Sequence, residues 1–229
     1  MVLAALITVK RFSERIPNKS FRPFADTNLL ELKINQLKKV KRLDKIIVNS
    51  EDNMLLSMSK SLGVETVKRD PKLAQSTTLA NEVYPVVARD ADCDIVLSTM
   101  VTLPLISVST YEKFIDSYFN LEKEYDSIIS AYSIKEFFWY KNKPLNYDID
   151  NKPKTQNLEP LKNVNSAINI LPRKLMIERK TNIGFKPKIV EMPEIEAVDI
   201  DYPFQFYLAE LLYKHINSLK IKSELMVKE

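Results

Sequence analysis

Apolar and polar positions alternate between two periods along this chain. Residues 2–8 (VLAALIT) form an unbroken apolar run of strand length, the pattern of a strand buried on both faces of a parallel sheet. Residues 28–43 then place Leu30, Ile34 and Leu37 at i, i+4 and i+7, which predicts a helix with one apolar face. Its basic end, Lys38, Lys39, Lys41 and Arg42, suits a solvated helix terminus. DKIIVNSED predicts a second strand, and NMLLSMSKSLG a second helix closed by Gly63. VETVKRD, CDIVLSTMV and DSIISAYSI read as further strands, with helices at 79–90 and over STYEKFIDSYFNL between them.

The βαβ alternation predicts an α/β fold, a doubly wound and mostly parallel sheet whose ligands sit at the carboxyl ends of the strands. From about residue 137 to 179 the pattern loosens, with prolines at 144, 153, 160 and 172 and the aromatic cluster FFWY at 137–140. This stretch reads as an inserted excursion rather than more sheet, so residues 1–133 and 180–229 are assigned to the core and 134–179 to the insertion. The aromatics fit a partner surface or a local mini-core equally well. EAVDIDYPFQFYLAELLYKHI predicts a last strand followed by an amphipathic helix.

Composition narrows the function classes. With 34 basic and 30 acidic residues in 229, a net charge of +4 gives little bulk attraction to nucleic acid or to a membrane surface, so any anion site is local. The single cysteine, Cys93, leaves no partner for an intramolecular disulfide, and the single histidine, His215, leaves no His/Cys cluster for zinc. Cys93 is expected to be buried and inert. The N-terminal apolar run lacks a basic leader and a cleavage site, and nothing approaches the ~18 apolar residues of a membrane span. A cytoplasmic protein is expected.

Three segments carry candidate chemistry. TVKRFSERIPNKS (8–20) follows the first strand and sets Lys10, Arg11, Arg15 and Lys19 where the fold places its ligand crevice, with Ser13 and Asn18 as further donors. It has none of the glycines on which phosphate loops usually depend, so a triphosphate cradle and a basic surface turn are both open. RDPKLAQSTT brings Arg69, Ser76, Thr77 and Thr78 after the third strand, either to read a nucleoside or, for Thr77 and Thr78, to cap the next helix. In VDID, strand alternation sets Asp199 and Asp201 on one face with Ile200 on the other, a carboxylate pair suited to Mg²⁺ or to ion pairs with lysines.

Taken in order, these segments resemble the acylneuraminate cytidylyltransferase family. The family's Ala-Arg-x-Gly-Ser-Lys-x-x-Pro-x-Lys-Asn loop is matched by the run from Val9 to Ser20, and its Ile-Val-Ser-Thr-Asp strand end by Ile47 to Glu51. Arg-Pro-x-x-Leu-Ala-x-Asp-Thr is similar to Arg69 through Thr77, and Thr-Ser-Pro-Leu-Arg to Thr102 through Ile106. Asn-Gly-Ala-Ile-Tyr is echoed by Asn165 through Asn169, and Asp-Ile-Asp by Asp199 to Asp201. The resemblance implies a Rossmann-like nucleotidyltransferase that transfers CMP from CTP to a hydroxyl of an acidic acceptor, a nonulosonate-like sugar acid or related acid, releasing pyrophosphate. By the same resemblance Lys10, Ser13, Arg15 and Lys19 hold the triphosphate, with Lys10, Lys19, Asp199 and Asp201 as the catalytic set. Asp199 and Asp201 hold Mg²⁺, and Asn18, Ser20, Arg69, Thr77 and Thr78 complete the nucleotide site. The insertion at 134–179 would be a dimerisation and acceptor-site arm that reaches over the partner's active site, giving a homodimer.

The departures are specific. Lys10 stands where the family has arginine, keeping the charge but not the planar fork. Phe12 replaces a small residue, and Glu14 puts a negative charge where the family has lysine. On the acceptor side Met100, Ile106 and Thr155 replace a glutamine and two arginines, which makes sialic acid itself a poor fit. The alternative implied by Lys10, Phe12 and Glu14 is a catalytically weakened relative serving as a binding or scaffold subunit.

Overall fold

The computed structural model describes residues 1–226, with side-chain surroundings given through residue 219. Its centre is one seven-stranded sheet of β1 (Leu3–Thr8), β2 (Lys45–Ser50), β3 (Glu65–Lys68), β4 (Ile95–Thr99), β5 (Ser127–Ile134), β6 (Leu161–Pro172) and β7 (Pro187–Glu191). The spatial order is β7-β5-β6-β4-β1-β2-β3. Every pairing is parallel except the two made by β6, which runs antiparallel to both β4 and β5. The expected α/β, doubly wound and mostly parallel sheet is the observed one. Among the described residues five α-helices lie between the strands, α1 (Leu29–Leu37), α2 (Asn53–Ser61), α3 (Ala80–Asp90), α4 (Val108–Phe119) and α5 (Arg173–Arg179), and α6 (Pro203–Met226) follows the last strand.

The continuous apolar run of β1 has its reason in two separate cores. Leu3, Ala5 and Ile7 face a cluster that includes Leu30, Ile34 and Phe114, while Ala4 and Leu6 face Val87, Ala88 and Met176 on the other side. From β1 the chain winds outward through β2 to β3, then crosses back to lay β4 on the opposite flank of β1. The loops after β1 and β4 therefore leave the same sheet end at a point of reversed strand order, where a crevice opens.

Helix ends follow local chemistry. Asn28 caps α1 by accepting from the Glu31 amide at 3.0 Å, and Asp52 caps α2 by accepting from the Leu55 amide at 3.0 Å. Gly63, at φ +70°, turns the chain out of α2 as expected. Helix α1 stops at Leu37, short of the expected residue 43, so the basic cluster lies beyond it. Neither Thr77 nor Thr78 caps α3; Leu79 stands at that position, and its amide is taken by the Glu82 carboxylate at 3.0 Å.

Two expectations are corrected. The stretch from 137 to 179 is not all excursion, because Leu161–Pro172 is a twelve-residue strand inside the sheet and Arg173–Arg179 is a helix. Its identity was masked because its outer half carries Lys162, Asn163 and Asn165, and its buried half carries Asn169. Nor is VDID a strand: a short 3-10 turn over Glu194–Ala197 leads into extended chain, and only Ile200 makes a sheet-like bond, its amide donating to the Thr102 carbonyl at 2.9 Å. Between Val164 and Asn169 the β5–β6 register shifts, and Ser166 there takes a left-handed φ of 52°.

Candidate active site

The loop after β1 keeps its shape without glycine because buried groups pin it. Ile16 is buried under it, and Asn18 makes its tight turn at φ 58°, its carbonyl accepting from the amides of Phe21 and Arg22. Arg69, only 3% exposed, reaches beneath the loop's start. Its guanidinium donates to the Val9 carbonyl at 2.9 Å, to Asn49 Oδ1 at 2.9 Å and to Glu51 Oε2 at 3.1 Å. Glu51 Oε1 in turn accepts from the Arg11 amide at 2.7 Å. The ends of β1, β2 and β3 are thus tied by one buried ion pair.

Above this brace lies a cleft of about 440 Å³. Lys10, Ser13, Glu14, Arg15, Lys19 and Ser20 line it from the loop, facing Met100, Val101 and Thr102 after β4, with Ser76 at the rim. The cleft is at the carboxyl end of β1, the position expected for a phosphate site.

The acidic segment closes one side. With Ile200 buried and bonded to Thr102, the flanking aspartates are held at the cleft. Arg15 Nη2 donates to Asp201 Oδ1 at 2.7 Å, and the same guanidinium lies 4.9 Å from the centre of the Tyr202 ring. Lys19 Nζ donates to the Ile200 carbonyl at 2.6 Å and stands 3.9 Å from Asp201 Oδ1. Burial pushes the Lys19 ammonium below the usual lysine range, against the pull of Asp201 and Asp199. Burial likewise raises the Asp199 carboxyl, opposed by a hydrogen bond from Thr102.

Asp199 Oδ1 is buried with no hydrogen-bond partner. A buried carboxylate oxygen without a hydrogen-bond donor is chemically suited to a cation. Among the described residues no group of three or more His, Cys, Asp or Glu stands together. The donor set, two carboxylates beside a basic cleft, suits Mg²⁺, which commonly takes one or two protein carboxylates and completes its shell with phosphate oxygens and water.

Not every residue expected at the site is there. Lys10, Ser13, Arg15, Lys19 and Ser20 line the cleft, and Asp199 and Asp201 flank it. Asn18 forms the loop's turn and Arg69 the brace below, and neither lines the cleft. Thr77 is exposed and Thr78 donates its hydroxyl to the Lys72 carbonyl at 2.7 Å, so Ser76 alone of that trio lines the cleft. Thr8 and Thr102 also line the cleft; both fall in segments the sequence singles out, but neither is expected there as a binding residue, and the signal for each is its place at or just past a strand's carboxyl end.

Met100 also lines a second cleft of about 590 Å³ on the far side of Asp199. Tyr84 of α3, Tyr132 of β5, Asn163 and Ser166 of β6, and Glu194 and Gln205 contribute to it. A larger hollow, about 700 Å³, lies between α1, α6 and the 104–109 loop, away from both aspartates and the basic loop. The paired clefts that share Met100 hold the convergent charges, and they are the candidate site.

Comparison with known proteins places the chain. A family model described as cytidylyltransferase matches residues 4–191. A protein of Methanocaldococcus jannaschii described as uncharacterized is 34% identical over 76 residues, 31% of each chain, so the match spans less than a third of that relative's length. Among solved structures, a CMP-2-keto-3-deoxy-manno-octonic acid synthetase complexed with CTP superposes with a TM-score of 0.69 at 11% identity, covering 94% of this chain and 99% of that one. A 4-diphosphocytidyl-2C-methyl-D-erythritol synthase from Anaerococcus prevotii gives 0.67 at 14% identity, covering 93% and 96%. A cytidylyltransferase from Leptospira borgpetersenii gives 0.60 at 15%, covering 100% and 98%. At these identities the structural likeness speaks for the fold.

Proposed function

Because the chain belongs to the cytidylyltransferase family, we propose that it transfers CMP from CTP to a hydroxyl of a small acceptor, releasing pyrophosphate. The observation that carries this reading is the convergence of Lys19 and Arg15 on Asp201 at the mouth of a basic cleft, with a second cleft opening beyond Asp199. Lys10, Lys19 and Arg15 hold the triphosphate and offset the charge that gathers on the departing pyrophosphate. Ser13, Ser20 and Ser76 donate to phosphate or ribose oxygens. Asp199 and Asp201 would hold Mg²⁺, which would supply Lewis-acid neutralisation of phosphate charge. The acceptor oxygen attacks the α-phosphorus, the bond to the β-phosphate oxygen breaks, and the hydroxyl proton ends on the released pyrophosphate.

Asn18, Arg69, Thr77 and Thr78 take supporting roles in this reading, shaping the loops that carry the lining residues. The exposed side chains Trp139, Tyr140, Leu145 and Ile149 on the excursion, with Phe204, Tyr207 and Leu211 on α6, support a homodimer. No helix among the described residues is long and apolar enough to cross a membrane. The resemblance implies an acidic acceptor, but the second cleft, which no lysine or arginine lines, lends that part no support.

A weakened, non-catalytic relative is the second reading, favoured by Glu14 lining the triphosphate cleft. Titration calorimetry with CTP, with and without Mg²⁺, and pyrophosphate release over a panel of hydroxylated acceptors separate the two. Mg²⁺-dependent CTP binding with acceptor-dependent pyrophosphate release is expected. Absence of CTP binding, or CTP binding without release for any acceptor, would leave the non-catalytic reading.

A further inference from the structure

The second cleft is where the acceptor must sit if the first takes CTP, and its chemistry is unlike that of its neighbour. Its polar lining consists of the hydroxyls of Tyr84, Tyr132 and Ser166 and the amides of Asn163, Asn165 and Gln205. The charged lining residues are Glu194 and Asp199, both acidic. The cation next in sequence to this wall, Lys162, is turned to an ion pair with Glu191 and to Ser133 Oγ at 2.7 Å. Met100, Val164 and Leu208 supply apolar surface.

Several of these groups are already oriented. Gln205 Oε1 accepts from the amides of Asp201 and Tyr202, both at 2.8 Å, which commits the oxygen and leaves the amide nitrogen as a donor. Asn163 Nδ2 donates to the Tyr132 hydroxyl oxygen at 3.2 Å, leaving the Tyr132 proton and Asn163 Oδ1 for a ligand. Asn165 Oδ1 is occupied by Ser130 Oγ at 2.7 Å. The result is a fixed set of neutral donors and acceptors beside two carboxylates, Asp199 on the side of the basic cleft and Glu194, the latter able to accept from two hydroxyls.

An anionic acceptor in such a site meets no lysine or arginine and is repelled by Glu194, and the charge of a Mg²⁺ held by Asp199 and Asp201 is already balanced by those carboxylates and the triphosphate. A polyhydroxylated neutral molecule would find partners for its hydroxyls and an apolar strip for its carbon face. We infer that the acceptor is an uncharged polyol, a sugar or sugar alcohol without a carboxylate or phosphate near the reacting hydroxyl. This rests on the cytidylyl-transfer reading, and its reaction is the one already balanced: an O–Pα bond forms, the Pα–O bond to pyrophosphate breaks, and the acceptor proton leaves with the pyrophosphate.

The test pairs each neutral probe with its acid: mannitol with mannonate, glucose with glucuronate, and N-acetylglucosamine with N-acetylglucosaminuronate. Pyrophosphate release is followed with CTP and Mg²⁺, and CTP binding is measured separately by calorimetry. At least one neutral member is expected to exceed its acid by about a hundredfold in kcat/KM. Glu194→Gln is expected to narrow that ratio, and Val164→Arg to raise turnover of the acid at least tenfold, both with the calorimetric affinity for CTP retained. If CTP binds and the acids are turned over as well as or better than the neutral members, or no neutral member is accepted, the inference is overturned. If CTP does not bind, the cytidylyl-transfer reading fails first and takes the inference with it.

Discussion

Arg15 Nη2 lies 2.7 Å from Asp201 Oδ1, joining residues 186 positions apart across the mouth of the basic cleft. Both side chains are about half exposed, at 48% and 42%, so solvent screens the pair and its value is positional rather than structural. It holds the acid in place beside Lys19.

Asp201→Asn should therefore leave the unfolding midpoint close to that of the parent. Pyrophosphate release should fall by at least about a hundredfold, since electrostatic groups at a reacting phosphate typically contribute that much. Denaturant titration and initial rates measured side by side check this; unchanged turnover would remove Asp201 from the reaction.

Arg69 is expected to behave in the opposite way. It bonds Val9, Asn49 and Glu51 from a buried position, and a lysine cannot reproduce that planar fork. Arg69→Lys should cost about 3 kcal/mol of stability, the scale for disrupting a buried ion pair. Per folded molecule its KM for CTP should change little. A large loss of CTP affinity in a fully folded Arg69→Lys protein would return the residue to the nucleotide site.

Lys33 predicts a pH dependence. It is fully buried, donating to the Leu103 carbonyl at 2.9 Å and the Tyr111 hydroxyl at 2.8 Å, and burial lowers its pKa to about 7. In the unfolded chain lysine keeps its proton to the ordinary value of about 10.4, so between these limits the unfolded state binds more protons and stability rises with pH. Urea midpoints of the parent relative to Lys33→Met should be flat below about pH 7 and climb above it. A difference that stays flat to pH 10 would mean that folded Lys33 titrates normally.

Ser166 holds a left-handed φ of 52° at the register shift of β6, a conformation that disfavours any side chain. Ser166→Gly should stabilise by roughly 0.5–1 kcal/mol, the relief of that strain less the added freedom of the unfolded chain. Because Ser166 also lines the second cleft, the acceptor KM should rise several-fold while the KM for CTP holds. Stability and the two KM values together test both roles.

The sequence made β1, β2 and β4 plain because each centres on a short apolar run buried on both faces. Strand β6 was hidden, since its interior position at Asn169 is polar and its outer half reads like a loop. Strand β7 lies at the sheet edge, where Lys186 and Lys188 break the apolar signal. The basic loop and the two aspartates were visible as charge in a meaningful place. The role of Arg69 was not, because its burial depends on Val9 and Glu51, 60 and 18 residues away. The second cleft left no local motif, since its lining comes from α3, β5, β6 and the segment before α6.

Strand β6 also bears on how this scaffold can change over evolutionary time. One continuous strand threads the sheet interior through Ile168 and Ile170 and walls the second cleft through Asn163 to Ser166. Change in that cleft made on this strand is coupled to survival of the fold, whereas Glu194 lies exposed in a short turn outside the sheet. Altered recognition should be acquired first there, with β6 as the slow-changing wall against which each innovation is tried.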